Sequence, residues 1–159
     1  MDFYSQSVVN CLSPKQRLVY DAILGHYDRG DWSQLLLNID GRAGTRKSFL
    51  IQVLSTHLQL RTDREVIIRC APTGAASFGI KGSTLHTLLK LLINKSIEPL
   101  GPAAAQALQA RLASLKYLII DEKSMVSLKT LYYVHLRLQQ AFSTDSRFGG
   151  VSILLFGDF

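Results

Sequence analysis

Residues 40–48 read DGRAGTRKS and residues 117–125 read YLIIDEKSM. The first stretch places a lysine and a hydroxyl, Lys47 and Ser48, behind a run of small residues. The second places two carboxylates, Asp121 and Glu122, directly after four apolar residues. A lysine closing a glycine-rich turn offers a fixed positive charge to phosphate oxygens, and a hydroxyl beside it is a hard ligand for Mg2+. A carboxylate at a strand end can hold the same ion through its water shell, and its neighbour can take a proton from an attacking water. Together these are the groups that hydrolysis of a nucleoside triphosphate requires.

The loop departs from the pattern G-x-x-x-x-G-K-[ST] at one position, where Arg46 precedes Lys47 in place of glycine. Alone, the stretch reads either as a phosphate cradle or as an ordinary strand-to-helix turn. As a cradle it would comprise Gly41, Ala43, Gly44, Thr45, Arg46, Lys47 and Ser48, with backbone N–H groups and a helix N-terminus facing the anion. An arginine there adds strain if the backbone requires a positive φ, and its side chain must leave the phosphate pocket or lie across it. Its charge still attracts phosphate, so hydrolysis should suffer more than binding.

These residues need a scaffold, and the hydropathy pattern supplies one. Four apolar runs, 35–39, 66–70, 117–120 and 151–156, read as buried parallel strands. Helical periodicity covers 13–27, 47–60, 84–93, 102–115 and 127–142, the first opening with Ser13 as N-cap and Pro14 at its first position. Strands alternating with helices predict an α/β fold, a parallel sheet with flanking helices and right-handed crossovers. Ligands of such sheets bind beyond the carboxyl ends of the strands. Asp40, Asp121–Glu122 and Gly157–Asp158 all fall there.

Composition narrows the classes. The 159 residues are 47% hydrophobic, which excludes a disordered chain. Eighteen Lys and Arg against twelve Asp and Glu give a net charge of +6, which suits either a polyanionic partner or a plain solvated surface. Cys11 and Cys70 are far apart in sequence, which argues against a zinc site or disulfide framework and for a reducing intracellular compartment. The N-terminal residues lack the pattern of a secretory signal, and no apolar run is long enough to span a bilayer, so no membrane partner is expected.

Beyond the two motifs, APTGAASFGIKGSTLHTLL (71–89), YLIIDEKSMVS (117–127) and FGGVSILLFGDF (148–159) resemble, in order and spacing, the petite-integration-frequency (PIF-type) DNA helicases. The likeness is strongest to their fungal and Helitron-transposon branch, and it runs from about Leu12 to the last residue. It implies a RecA-like P-loop nucleoside-triphosphatase fold and an ATP-driven 5′-to-3′ translocase on single-stranded DNA. Under it, Lys47 and Glu122 take the catalytic roles, and Ser48 and Asp121 bind Mg2+. Gln16, in LSPKQRLVYDAI (12–23), recognises adenine. Thr73, Gly74, Thr84 and His86 fall in motifs that contact DNA in the family. Gly157–Asp158 begins the segment that normally leads to a γ-phosphate sensor. The family's roles range over telomere maintenance, repair, recombination and transposon movement, and its locations are nuclear, expected first here, or mitochondrial.

The physics of the DNA motifs agrees more weakly. Gly74, Gly79 and Gly82 would let a phosphodiester chain approach, with hydroxyls from Thr73, Ser83 and Thr84 and charge from Lys81 and Lys90. Phe78 could stack on a base, but a phenylalanine among small residues is more often core. His86 ahead of TLL reads equally as a satisfied buried histidine. Lys123 stands where the family usually has an apolar residue. It would either lower the basicity of Glu122 or, the favoured reading, point to solvent.

The family pattern continues past Phe159. The resemblance therefore implies an incomplete first motor domain over 12–159, behind an N-terminal extension at 1–11, with the second motor domain missing. The first strand would then be an exposed edge. Two alternatives accompany this expectation. One is a degenerate remnant that holds nucleotide or single-stranded DNA without turnover. The other is a small P-loop kinase, against which stands the lack of a lid-like arginine cluster.

Overall fold

The computed structural model describes residues 1–41, 46–92 and 95–158. Its strands are β1 (Leu36–Asp40), β2 (Ile67–Ala71), β3 (Ser83–Thr84), β4 (Tyr117–Ile120) and β5 (Ser152–Gly157). Four of these are the apolar runs, each found within about a residue of its expected place. β3 is new; two residues are too few to carry a period. Every pairing is parallel, and the order across the sheet is β1-β5-β4-β2-β3.

This order gives each strand's patterning a cause. β4 has neighbours on both edges and helices on both faces, so all four of its residues are buried. β1 pairs only with β5 among the described residues and alternates exposed with half-buried positions, as an edge strand should.

The helices divide between the faces. α1 (Pro14–Asp28) and α2 (Lys47–Gln59) cover one, where Ile23, Leu54 and Leu58 pack on Tyr117, Ile119, Leu154 and Phe156. α4 (Leu85–Leu89), α5 (Pro102–Arg111) and α6 (Leu128–Phe142) cover the other, where Leu89, Leu112 and Leu138 meet Leu118, Ile120 and Ile153. Each such fully buried side chain contributes about 1.5–3 kcal/mol of transfer free energy. A short helix, α3 (Gly74–Gly79), follows β2 and had no periodic signal in its glycine- and alanine-rich sequence. No described helix is long and apolar enough to cross a membrane.

The helix ends follow from local chemistry. Ser13 caps α1 in a reciprocal box with Gln16, and Pro14 opens the helix. α4 stops well short of the expected residue 93, because Lys90 adopts the left-handed conformation (φ 57°) and closes it. Residues 1–11 lie on the first core. Val8 and Val9 are buried there, and His57 Nε2 donates to the Phe3 carbonyl at 3.0 Å.

Candidate nucleotide site

The carboxyl ends of β1, β4 and β5 meet at Lys47, the first residue of α2. Its Nζ lies 2.8 Å from Asp121 Oδ1 and 3.4 Å from Glu122 Oε1. Thus the phosphate-loop lysine and both strand-end carboxylates, read separately from sequence, are one cluster. Burial opposes the charge on Lys47, but the two carboxylates outweigh it and hold its pKa above the ordinary lysine value. A cleft of about 620 Å3 opens beside the cluster, lined by Gln16, Asp40, Gly41, Lys47, Phe156 and Asp158 among others.

Asp121 is 3% exposed, and the described residues offer its Oδ1 only the Lys47 ammonium at 2.8 Å. A buried carboxylate held by a single ammonium keeps acceptor capacity that suits a hydrated cation. Ser48 is exposed one residue beyond Lys47, so its hydroxyl is accessible. No group of three or more His, Cys, Asp or Glu side chains among the described residues could grip a metal unaided.

Arg46 is the N-cap of α2 and sits at φ 58°, ψ 36°. The backbone here does take a positive φ, so the arginine bears its cost. The guanidinium lies over the Phe49 ring, 4.3 Å from its centroid, and Phe49 in turn packs against Phe3. The side chain stacks along the first turn of α2. Gln16 Oε1 accepts from Ser13 N at 3.0 Å, and its Nε2 donates to the Arg46 carbonyl at 3.4 Å. The proposed adenine reader is thus placed against the phosphate loop. Ala43, Gly44 and Thr45 lie outside the described residues.

Two readings need correction. Lys123 does not face solvent; it is 7% exposed and its Nζ donates to Asn38 Oδ1 and Asp40 Oδ1 on β1. Glu122 at φ 56° turns the chain back across the sheet end, which carries Lys123 inward. Phe78 is not core; it is 86% exposed, because α3 is too short to bury more than one side.

The remaining motif residues gather at the carboxyl ends of β2 and β3. Thr73 caps α3 by accepting from Ala76 N, and Thr84 caps α4 by accepting from Thr87 N. Gly74 is exposed at the start of α3, and His86 is half-buried on α4. A Cβ on Gly74 or Gly79 would meet nothing, leaving both open to a ligand. Gly82 is different: a Cβ there would lie 2.3 Å from the Arg69 carbonyl oxygen, so this glycine serves the contact with β2 rather than a phosphodiester.

Comparison with known proteins gives the family. The family model described as PIF1-like helicase matches residues 11–159. The chain belongs to the PIF1-like helicase family. It is 37% identical over 123 residues to the ATP-dependent DNA helicase RRM3 of Saccharomyces cerevisiae, covering 75% of this chain and 17% of that protein. It is 29% identical over 124 residues to the ATP-dependent DNA helicase Pif1 of Psychrobacter, covering 76% of this chain and 18% of that one. Among solved structures, a Bacteroides Pif1 helicase in complex with ADP-AlF3 and single-stranded DNA superimposes with a TM-score of 0.73 at 27% identity, over 92% of this chain and 32% of the other. The Pif1 helicase from Candida albicans gives 0.70 at 25% identity, over 93% and 32%. The chain therefore spans under a fifth of these two curated relatives and about a third of the solved helicases.

Two features of the site are Arg46 in a left-handed cap and the Lys123–Asp40 pair. The first was visible in sequence as a broken motif. The second was not, since Lys123 stands among polar sequence neighbours and its partner on β1 lies 83 positions away.

Proposed function

We propose that this chain is part of the ATP-hydrolysing motor of a DNA helicase, binding ATP with Mg2+ and tracking along single-stranded DNA in the 5′-to-3′ direction. The observation that carries the reading is the convergence of Lys47, Asp121 and Glu122 at the sheet's carboxyl edge. Lys47 releases its carboxylate partners to meet the β- and γ-phosphates, a switch of anion that keeps its charge paired. Asp121 and Ser48 would hold Mg2+, which when bound offsets phosphate charge in the transition state. Glu122, half-exposed and freed from Lys47, orients the attacking water and takes its proton. Gln16 reaches the base edge by exchanging its long bond to the Arg46 carbonyl. Thr73, Gly74, Thr84 and His86 line the path of the DNA strand, where Gly74 leaves backbone exposed to phosphate.

The test joins these residues to the second motor domain of a relative and measures ATP hydrolysis with and without single-stranded DNA. Expected is DNA-stimulated turnover that is lost in Lys47→Ala and Glu122→Gln. Nucleotide binding without turnover, restored by Arg46→Gly, would instead support a binding-only remnant. Stimulated turnover that survives both site variants would refute the assignment.

A further inference from the structure

We infer that Lys123 is a positioning residue for the nucleotide, neutralising Asp40 at the mouth of the phosphate loop and tying edge strand β1 to the acidic end of β4. The inference rests on the nucleotide-site reading above and adds a residue to it.

Three observations fix the arrangement. First, Lys123 is the one lysine among the buried described residues, and burial of an ammonium is sustained only with partners. Second, its route is built. Glu122 in the left-handed conformation reverses the chain after β4, and Gly157 at φ 138° leaves the passage across β5. A Cβ on Gly157 would lie 3.0 Å from Lys123 N and 3.3 Å from Lys123 Cγ, so a side chain there would obstruct the lysine stem. Third, the ammonium ends on β1, at Asn38 and Asp40, with Asp40 the last residue before the glycine loop. The Gly41 N–H donates to the Gly157 carbonyl at 3.0 Å, completing the seam between loop, β5 and the residue-123 turn.

The electrostatic consequence concerns phosphate. Asp40, Asp121, Glu122 and Asp158 bring four carboxylates to this edge, and Lys47 balances only part of them. An aspartate immediately before a phosphate loop repels the anion the loop must hold. Lys123 cancels that charge from below the sheet edge, where it does not occupy the phosphate pocket. Because β1 has one strand neighbour among the described residues, the same contact also sets where the loop begins relative to Asp121.

The experiment measures Mg–ATP, Mg–ADP and adenosine affinities of the 159-residue chain by calorimetry, with unfolding followed in parallel. Lys123→Met is expected to weaken ATP about tenfold, the effect of an uncovered charge near the surface, ADP less, and adenosine little. Asp40→Asn/Lys123→Met, which removes both charges, is expected to recover ATP affinity to within about threefold of the parent. Lys123→Arg, which keeps the charge, is expected to retain more affinity than Lys123→Met. A purely structural lysine would weaken all three ligands together and gain nothing from the second substitution, which would overturn the proposal. Should Lys123→Met fail to fold, the doubly neutralised variant against Asp40→Asn alone decides the same point, since Asp40→Asn should tighten ATP. Lys47→Ala is the control. If it abolishes ATP binding while Lys123→Met changes nothing, this inference alone fails; if Lys47→Ala leaves binding intact, the nucleotide site itself is wrong.

Discussion

Replacing Arg46 by glycine and by alanine separates two opposing contributions at one residue. The left-handed conformation at φ 58° costs an L-residue about 1–2 kcal/mol, a cost glycine avoids. The guanidinium over Phe49, 4.3 Å from the ring centroid, returns about 0.5–1 kcal/mol at an exposed position. Arg46→Ala keeps the strain and loses the stack, so it should destabilise by about 0.5–1 kcal/mol. Arg46→Gly loses the stack and the strain together, less glycine's greater entropy in the unfolded chain, and should lie near the parent or slightly above it. The two variants should differ by about 1 kcal/mol, or about 2–4 °C in Tm for a domain of this size. Thermal and urea unfolding followed by circular dichroism read both quantities. An alanine variant as stable as the glycine variant would refute the left-handed cap. A glycine variant well below the parent would show that the arginine side chain does more than stack.

Other expectations follow from single contacts. Arg137 is buried and donates to the carbonyls of Leu89, Lys90 and Glu98 and to Gln140 Oε1, so Arg137→Met should cost about 3 kcal/mol in denaturant unfolding by stranding those acceptors. Tyr117→Phe removes the 2.6 Å bond to buried His26 Nδ1 and should cost about 1–3 kcal/mol by the same measurement. Phe78→Ala should leave stability within about 0.5 kcal/mol, since the ring is exposed. If the ring stacks on a base, the same variant should weaken single-stranded DNA binding in a filter or anisotropy assay by about 1–3 kcal/mol.

What the sequence disclosed was whatever local chemistry encodes. The apolar runs of β4 and β5 are long enough to announce buried strands, and Ser13–Pro14 with Gln16 announces the start of α1. Lys47, Asp121 and Glu122 were legible because each stands at a strand end or helix start that marks it. Lys123 was misread because its neighbours in sequence are polar, while its partners arrive from β1 through the sheet order. Phe78 was misread for the opposite reason: a ring between small residues reads as core until the helix beneath it proves only six residues long. β3 and α3 carry too few residues for any period to show.

The central question is whether Lys47 and the carboxylates beside it form a nucleotide site. Titrating a non-hydrolysable ATP analogue into the 159-residue chain, with and without Mg2+, measures this directly. The expected result is a saturable one-to-one isotherm that tightens with Mg2+, weakens in Asp121→Asn only when Mg2+ is present, and disappears in Lys47→Ala. Binding that ignores Mg2+ and both substitutions, or no binding by the folded chain, would contradict the account.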